Sequence, residues 1–144
     1  MTETTVYLVR HGQIDANVER RWFGSTDSNL NAKGQQQADR LTSLFQNQYP
    51  AITASYSSPL KRTMSTAKGL TGEFFGPAKA HPGLREYAIG ELEGIHFDAL
   101  HAEHRFFDKI AADADYAPSG GESVNQVRDR MLDTLEELRL RHIG

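Results

Sequence analysis

Apolar residues enter this chain in two rhythms. Residues 6–9 form an unbroken run of strand-forming types that stops at Arg10-His11-Gly12. That pattern predicts a fully buried strand ending in a polar loop. Ala38, Leu41, Leu44 and Phe45 recur instead at helical spacing. They predict a helix over about residues 33–48, with Asn31 or Asn29 as its cap and Pro50 as its stop. Residues 51–56 read as a second strand, and Ser57-Ser58-Pro59 opens another helix with proline in its first turn, fading near residues 69–72. Residues 77–82 predict a third short strand, and the glycine-punctuated stretch 83–94 predicts a loop. A helix is expected within residues 97–112, a turn at Pro118-Ser119-Gly120-Gly121, and the longest helix over residues 122–141. Val124, Val127, Leu132, Leu135 and Leu138 mostly follow the inner face of that last helix.

Strands alternating with helices predict an α/β fold, a three-layer sandwich with a mostly parallel central sheet and helices on both faces. The 144 residues suit a single domain, 1–144, with no internal repeat, linker or low-complexity tract. The sequence stops just after its longest helix, where an α/β fold ordinarily feeds another strand.

Charge and composition narrow the function classes. A formal net charge of −3 argues against a dedicated nucleic-acid binder. It leaves room for an anionic substrate, because a site needs only local positive charge. Cysteine is absent, so disulfides, thiolate zinc sites and cysteine nucleophiles are excluded. A reducing cytoplasm suits such a chain and is the expected location. The first five residues carry an acid, no basic segment and no long apolar run, so neither a signal peptide nor a membrane span is predicted.

The candidate chemistry starts at the end of the first apolar run. Imidazole is an uncharged nucleophile near neutral pH and forms covalent phosphoryl intermediates. A neighbouring arginine pairs with phosphate oxygens through two parallel hydrogen bonds. Gly12 removes a side chain that would crowd the anion. Open α/β sheets bind ligands at the C-terminal ends of their strands, where Arg10 and His11 are expected to lie.

Three further groups of residues follow in order: Asn17, Gly24, Asp27, Leu30 and Gly34; Ser57-Ser58-Pro59-Leu60-Lys61-Arg62-Thr63 with Thr66-Ala67; and Leu84-Arg85-Glu86 with Gly90, Glu93 and Gly94. Pro118, Gly120-Gly121-Glu122-Ser123 and Arg130 complete the series. In this arrangement the chain resembles the histidine phosphatase superfamily, also called phosphoglycerate-mutase-like. The resemblance implies that His11 becomes phosphorylated, that Arg10 and Arg62 clamp phosphate, and that Asn17 and the backbone of Gly24 contact it. It implies that Glu86 protonates the leaving oxygen and then activates water. It implies no metal and no cofactor. The expected partner is a small phosphorylated metabolite, with no nucleic acid and no membrane.

Each residue also has a plain structural reading. Arg62 in a helix's first turn can pair with a surface acid, Glu86 can be one more solvated carboxylate, Asn17 can cap a turn, and Glu122-Ser123 can simply begin a helix. His101 and His104 lie three apart with Glu103 between them, and a solvated polar face is expected there rather than a metal site. Phe97, Phe106, Phe107 and Tyr116 fit either an apolar cap over the pocket or a core.

Three departures shape the expectation. Phe23 stands where the family often carries a hydroxyl or amide. Glu86 is followed by Tyr87-Ala88-Ile89 rather than arginine, and residues 97–118 hold only Arg105 and Lys109 as cations, which favours phosphatase over mutase. The family's second histidine, in a Ser/Thr-His-Gly-like turn after a late strand, has no counterpart, and His142 has no preceding strand to qualify it. The resemblance thus implies a domain incomplete at its C-terminus, lacking one or more strands. A homodimer or a swapped element would then complete the sheet. Metal-independent phosphomonoester hydrolysis is the leading expectation. Cofactor-dependent phosphoglycerate mutase is the runner-up, and a catalytically inactive phosphate-binding module is the alternative of another class.

Overall fold

A computed structural model of the chain describes residues 4–48, 52–70 and 76–142. Its parallel sheet is made by β1 (Tyr56–Ser57) and β2 (Lys79–Ala80), with Tyr56 opposite Lys79 and Ser57 opposite Ala80. The fold is α/β, with six helices among the described residues: α1 (Asp15–Val18), α2 (Ala32–Gln48), α3 (Lys61–Ala67), α4 (Phe97–Ala102), α5 (Phe106–Ala112) and α6 (Val124–Arg141). No helix among the described residues is long and apolar enough to cross a membrane.

Local chemistry sets the helix starts. The Asn31 carboxamide accepts from the Gly34 N–H at 2.9 Å, which caps α2. The α3 N-terminus is capped from a distance, by the Asp27 carboxylate accepting from the Lys61 N–H at 2.8 Å. Ser123 opens α6 through a capping box with Gln126, at 3.1 and 2.8 Å. The expected helix over 97–112 is in fact two, because Arg105 takes a left-handed φ of 48° and ends the run between α4 and α5.

The largest correction concerns residues 6–9. They form no strand, and Val6 and Leu8 are 69% and 88% exposed rather than buried. Strand-forming types become a strand only where a ladder partner lies alongside, and none among the described residues does so. The second and third strands are also shorter than the apolar runs that signal them. Ala51 and residues 71–75 lie outside the described residues.

Two hydrophobic clusters hold the chain. Phe45, Ala67, Leu70 and Ala78 join α2 to α3, with Leu41 and Ile52 packed against them. Ile89, Leu92, Leu100 and Phe106 form the second, flanked by Trp22, Tyr87 and Phe107. Phe106 is wholly buried there, while the Trp22 and Phe97 rings stack at 6.5 Å. These aromatics are core and its rim, and of the four expected as a possible cap none lines the pocket described below.

One backbone contact ties the first cluster to the His11 loop. A Cβ at Gly34 would stand 2.1 Å from the Gln13 carbonyl, and one at Gly12 would stand 2.4 Å from the Gly34 carbonyl. Alanine at 34 would gain about 1 kcal/mol of helix propensity. Overlap with backbone atoms, which cannot rotate aside, costs ~1–3 kcal/mol or more. Gly34→Ala is therefore expected to lower the urea midpoint with an unchanged m-value. An unchanged or raised midpoint would show that α2 can slide away from Gln13 without loss.

Candidate active site

A pocket of about 250 Å³ gathers Arg10, His11, Arg62 and Glu86, with Val9, Leu84, Arg85, Tyr87, Val127 and Met131 among the residues that form its wall. Four separate segments thus meet at one concavity: the His11 loop, α3, the loop after β2, and α6.

His11 is half-buried, and its Nδ1 lies 2.7 Å from the Gly12 carbonyl. A carbonyl only accepts, so Nδ1 carries the proton and donates. Neutral imidazole then presents a lone pair on Nε2. Burial lowers the His11 pKa from its ordinary 6.5. The hydrogen bond to Gly12 opposes this, Arg62 and Arg10 add to it, and Glu86 opposes it. The loop is fixed by the Gly12 N–H donating to the Thr66 hydroxyl at 3.0 Å, and that hydroxyl donates to the Arg62 carbonyl at 2.7 Å.

Arg62 is 1% exposed. Its Nη1 donates to the Thr26 carbonyl at 2.8 Å, and its Nη2 to the carbonyls of Gly24 at 2.6 Å and Phe23 at 3.3 Å. The Nε–H is buried with no partner, and no carboxylate among the described residues pairs with the guanidinium. Arg62 is therefore held by backbone carbonyls rather than by a surface acid. Burial lowers its pKa, against the pull of Glu86, Asp27 and Glu93, and guanidinium stays charged regardless.

Glu93 organises the loop that holds Arg62, a role that spacing along the chain does not signal. Its carboxylate accepts from the N–H groups of Gly24 at 2.8 Å, Ser25 at 2.9 Å and Ile89 at 3.2 Å. Burial works to raise its pKa, but these bonds win and lower it. Glu86 projects from an exposed loop, and its Oε1 accepts from the Tyr87 N–H at 2.9 Å.

Two expected phosphate contacts are engaged elsewhere. The Asn17 Oδ1 accepts from the Ile14 N–H at 3.1 Å, capping α1, and Asn17 does not line the pocket. The Gly24 N–H is spent on Glu93, and a Cβ at Gly24 would stand 1.9 Å from the Tyr87 carbonyl. Glycine at 24 is thus required by close approach of two backbones. Phe23 contributes a carbonyl to Arg62, which needs no particular side chain. His142 lies 2.9 Å from the Tyr56 hydroxyl, away from the pocket. His101 packs its ring 6.1 Å from that of Phe107.

The family model described as histidine phosphatase superfamily (branch 1) matches residues 6–144. A metal-independent phosphoserine phosphatase from Arabidopsis thaliana is 32% identical over 98% of this chain and 60% of its own. A probable phosphoglycerate mutase GpmB from Escherichia coli O139:H28 is 36% identical over 93% of this chain and 62% of its own. The chain thus spans about 60% of the length of these curated relatives. Among solved structures, a mycobacterial glucosyl-3-phosphoglycerate phosphatase complexed with VO3 superposes with a TM-score of 0.74 at 32% identity, over 89% of this chain and 63% of that one.

Proposed function

Because the chain belongs to the histidine phosphatase superfamily, we propose that it supplies the machinery for hydrolysing the phosphomonoester of a small metabolite through a phosphohistidine at His11. The observation that carries this reading is the buried Arg62 guanidinium, held by three carbonyls and with no carboxylate partner among the described residues, on a residue that lines the same pocket as His11. A buried cation without a carboxylate has a net attraction for an anion, and phosphate oxygens match its donors.

The steps follow from the residues. Arg10 and Arg62 hold the phosphoryl oxygens. The His11 Nε2 lone pair attacks phosphorus as the ester P–O bond breaks. Glu86 gives its proton to the departing alkoxide oxygen, then takes one from water. That water attacks phosphorus, the P–N bond breaks, and inorganic phosphate leaves with His11 restored. No step calls for a metal. The wall next to Glu86 carries Leu84, Tyr87, Val127 and Met131, with Arg85 its one cation beyond the clamp among the described residues. That favours a phosphatase over a mutase, which must also hold its substrate's carboxylate.

The test is hydrolysis of 4-nitrophenyl phosphate by the full chain with a chelator present, together with detection of acid-labile protein-bound phosphate. Protonation of Nε2 removes the nucleophile, and the folded site disfavours that proton. The acid limb of kcat/KM, corrected for the ester's own ionisation near pH ~6, is therefore expected to fall below pH 6.5. A limb above that value would contradict a buried, neutral His11. Phosphate binding without turnover would identify a binding module instead.

A further inference from the structure

Glu86 sits in a glycine-punctuated loop, and its own carboxylate holds only the next amide. The backbone on either side is held much more firmly. The Arg130 Nη1 donates to the carbonyls of Gly83 at 2.8 Å and Arg85 at 2.9 Å. Its Nε and Nη2 donate to the two oxygens of Glu122, at 2.8 and 2.9 Å. Glu122 in turn accepts from the Ala88 N–H at 3.1 Å, and its own N–H donates to the Ala88 carbonyl at 2.8 Å. Every bond their side chains make outside the pair falls within three residues of Glu86.

We propose that Arg130, paired with Glu122, is the positioning residue for Glu86, fixing the loop so that the carboxyl group reaches the leaving-group oxygen. This rests on the phosphatase reading above. Four of the five N–H donors of Arg130 are committed to Glu122 and the loop carbonyls, and the residue does not line the pocket, whereas Val127 and Met131 of the same helix do. Arg130 therefore acts through the loop and not on the substrate. Both side chains are shielded, 18% and 25% exposed, so the pair is less screened than a surface ion pair. Burial works to raise the Glu122 pKa, but the bonds from Arg130 and Ala88 outweigh it and keep the carboxylate charged. The pairing joins a carboxylate just before the α6 cap to an arginine eight positions on, inside α6. Ser123 begins α6 as expected, but Glu122 belongs to the acid's support.

A role through Glu86 makes a leaving-group signature that a general loss of structure does not. A phenolate departs without help and an alkoxide needs a proton. Lysine at 130 keeps the charge but loses the two-pronged geometry, and Glu122→Gln loses the charge while keeping the shape. The full chain should be assayed as wild type, Arg130→Lys, Glu122→Gln, Glu86→Gln and Arg130→Lys/Glu86→Gln, below each variant's unfolding temperature. The two substrates are 4-nitrophenyl phosphate and a simple alkyl phosphate. The expected result is a loss of ~10–100-fold in kcat/KM, which reports the phosphorylation step alone, on the alkyl ester for both Arg130→Lys and Glu122→Gln, part of the ~10²–10⁴-fold from a general acid. Loss of kcat/KM on the nitrophenyl ester should stay within roughly threefold, while kcat on that ester also carries the water-activation step that Glu86 serves. Adding Arg130→Lys to Glu86→Gln should cost nothing further, because coupled residues are not additive. Equal losses on both esters, or an undiminished loss in the Glu86→Gln background, would overturn the proposal while Glu86 keeps its role. A Glu86→Gln variant without leaving-group dependence, or a wild type without turnover, would remove the phosphatase reading and the proposal with it. If Arg130→Lys does not fold, Glu122→Gln alone decides between these outcomes.

Discussion

Replacing His11 with alanine is expected to reduce phosphatase turnover by roughly 10⁴–10⁶-fold, the range seen when a covalent nucleophile is removed. The clamp would survive. Arg10 and Arg62 owe nothing to the imidazole, whose own hydrogen bond is to the carbonyl of Gly12. His11→Ala should therefore fold normally and still bind inorganic phosphate, as read by calorimetry, while losing the acid-labile protein phosphate entirely. Protein-bound phosphate of that kind in the alanine variant would place the nucleophile elsewhere.

The second large effect is expected at Arg62, where catalysis and architecture are joined. Arg62→Lys retains a positive charge, but an ammonium cannot satisfy the carbonyls of Phe23, Gly24 and Thr26 and also face a phosphate. Loss of one fixed donor to a developing charge costs ~10²–10³-fold, and each carbonyl left buried without a donor costs ~1–3 kcal/mol. Arg62→Lys should thus lower kcat/KM by about two orders of magnitude and also shift the urea midpoint downward. Near-normal turnover in a well-folded Arg62→Lys variant would show that the guanidinium is structural only. The same experiment at Arg10, which is exposed and has no comparable anchors among the described residues, should change kinetics with little change in stability.

Much of the candidate site was legible in the sequence, and the reason is chemical. Histidine beside arginine at the end of an apolar run, a second arginine at a helix start, and a glutamate between glycines are residue types that a phosphate site needs. The structure gathers those four around one pocket. What the sequence did not reveal depends on contacts between distant segments. Glu93 stands in the motif series, but its position gives no sign that its loop folds back to meet the amides of Gly24 and Ser25, about seventy positions away. Thr66 shows no sign of accepting from Gly12 until α3 packs beside the His11 loop. Asn17 and Gly24 carry chemistry suited to phosphate, and the structure shows them bonded within the protein, Asn17 to Ile14 nearby and Gly24 to the distant Glu93. Helices were predicted better than strands for the same reason. The α2 and α6 boundaries are written in caps a few residues away, whereas residues 6–9 need a neighbouring strand that their own apolar character does not supply.

The anchoring of Arg62 has a consequence for how the molecule comes apart. Its helix belongs to the first hydrophobic cluster through Ala67, while the carbonyls it holds lie in a loop fastened to the second cluster by Glu93 and Trp22. The side chain is thus a rivet between two units that each have an apolar interior of their own. With it in place, the energy of opening one unit includes part of the other, which favours a single all-or-none transition. Weakening the rivet lets the two halves lose order at different denaturant concentrations, so that amide exchange in residues 20–27 and in α3 would cease to report one common opening. Occupancy of the phosphate site acts in the opposite sense, because an anion held by the same guanidinium stabilises only the joined state.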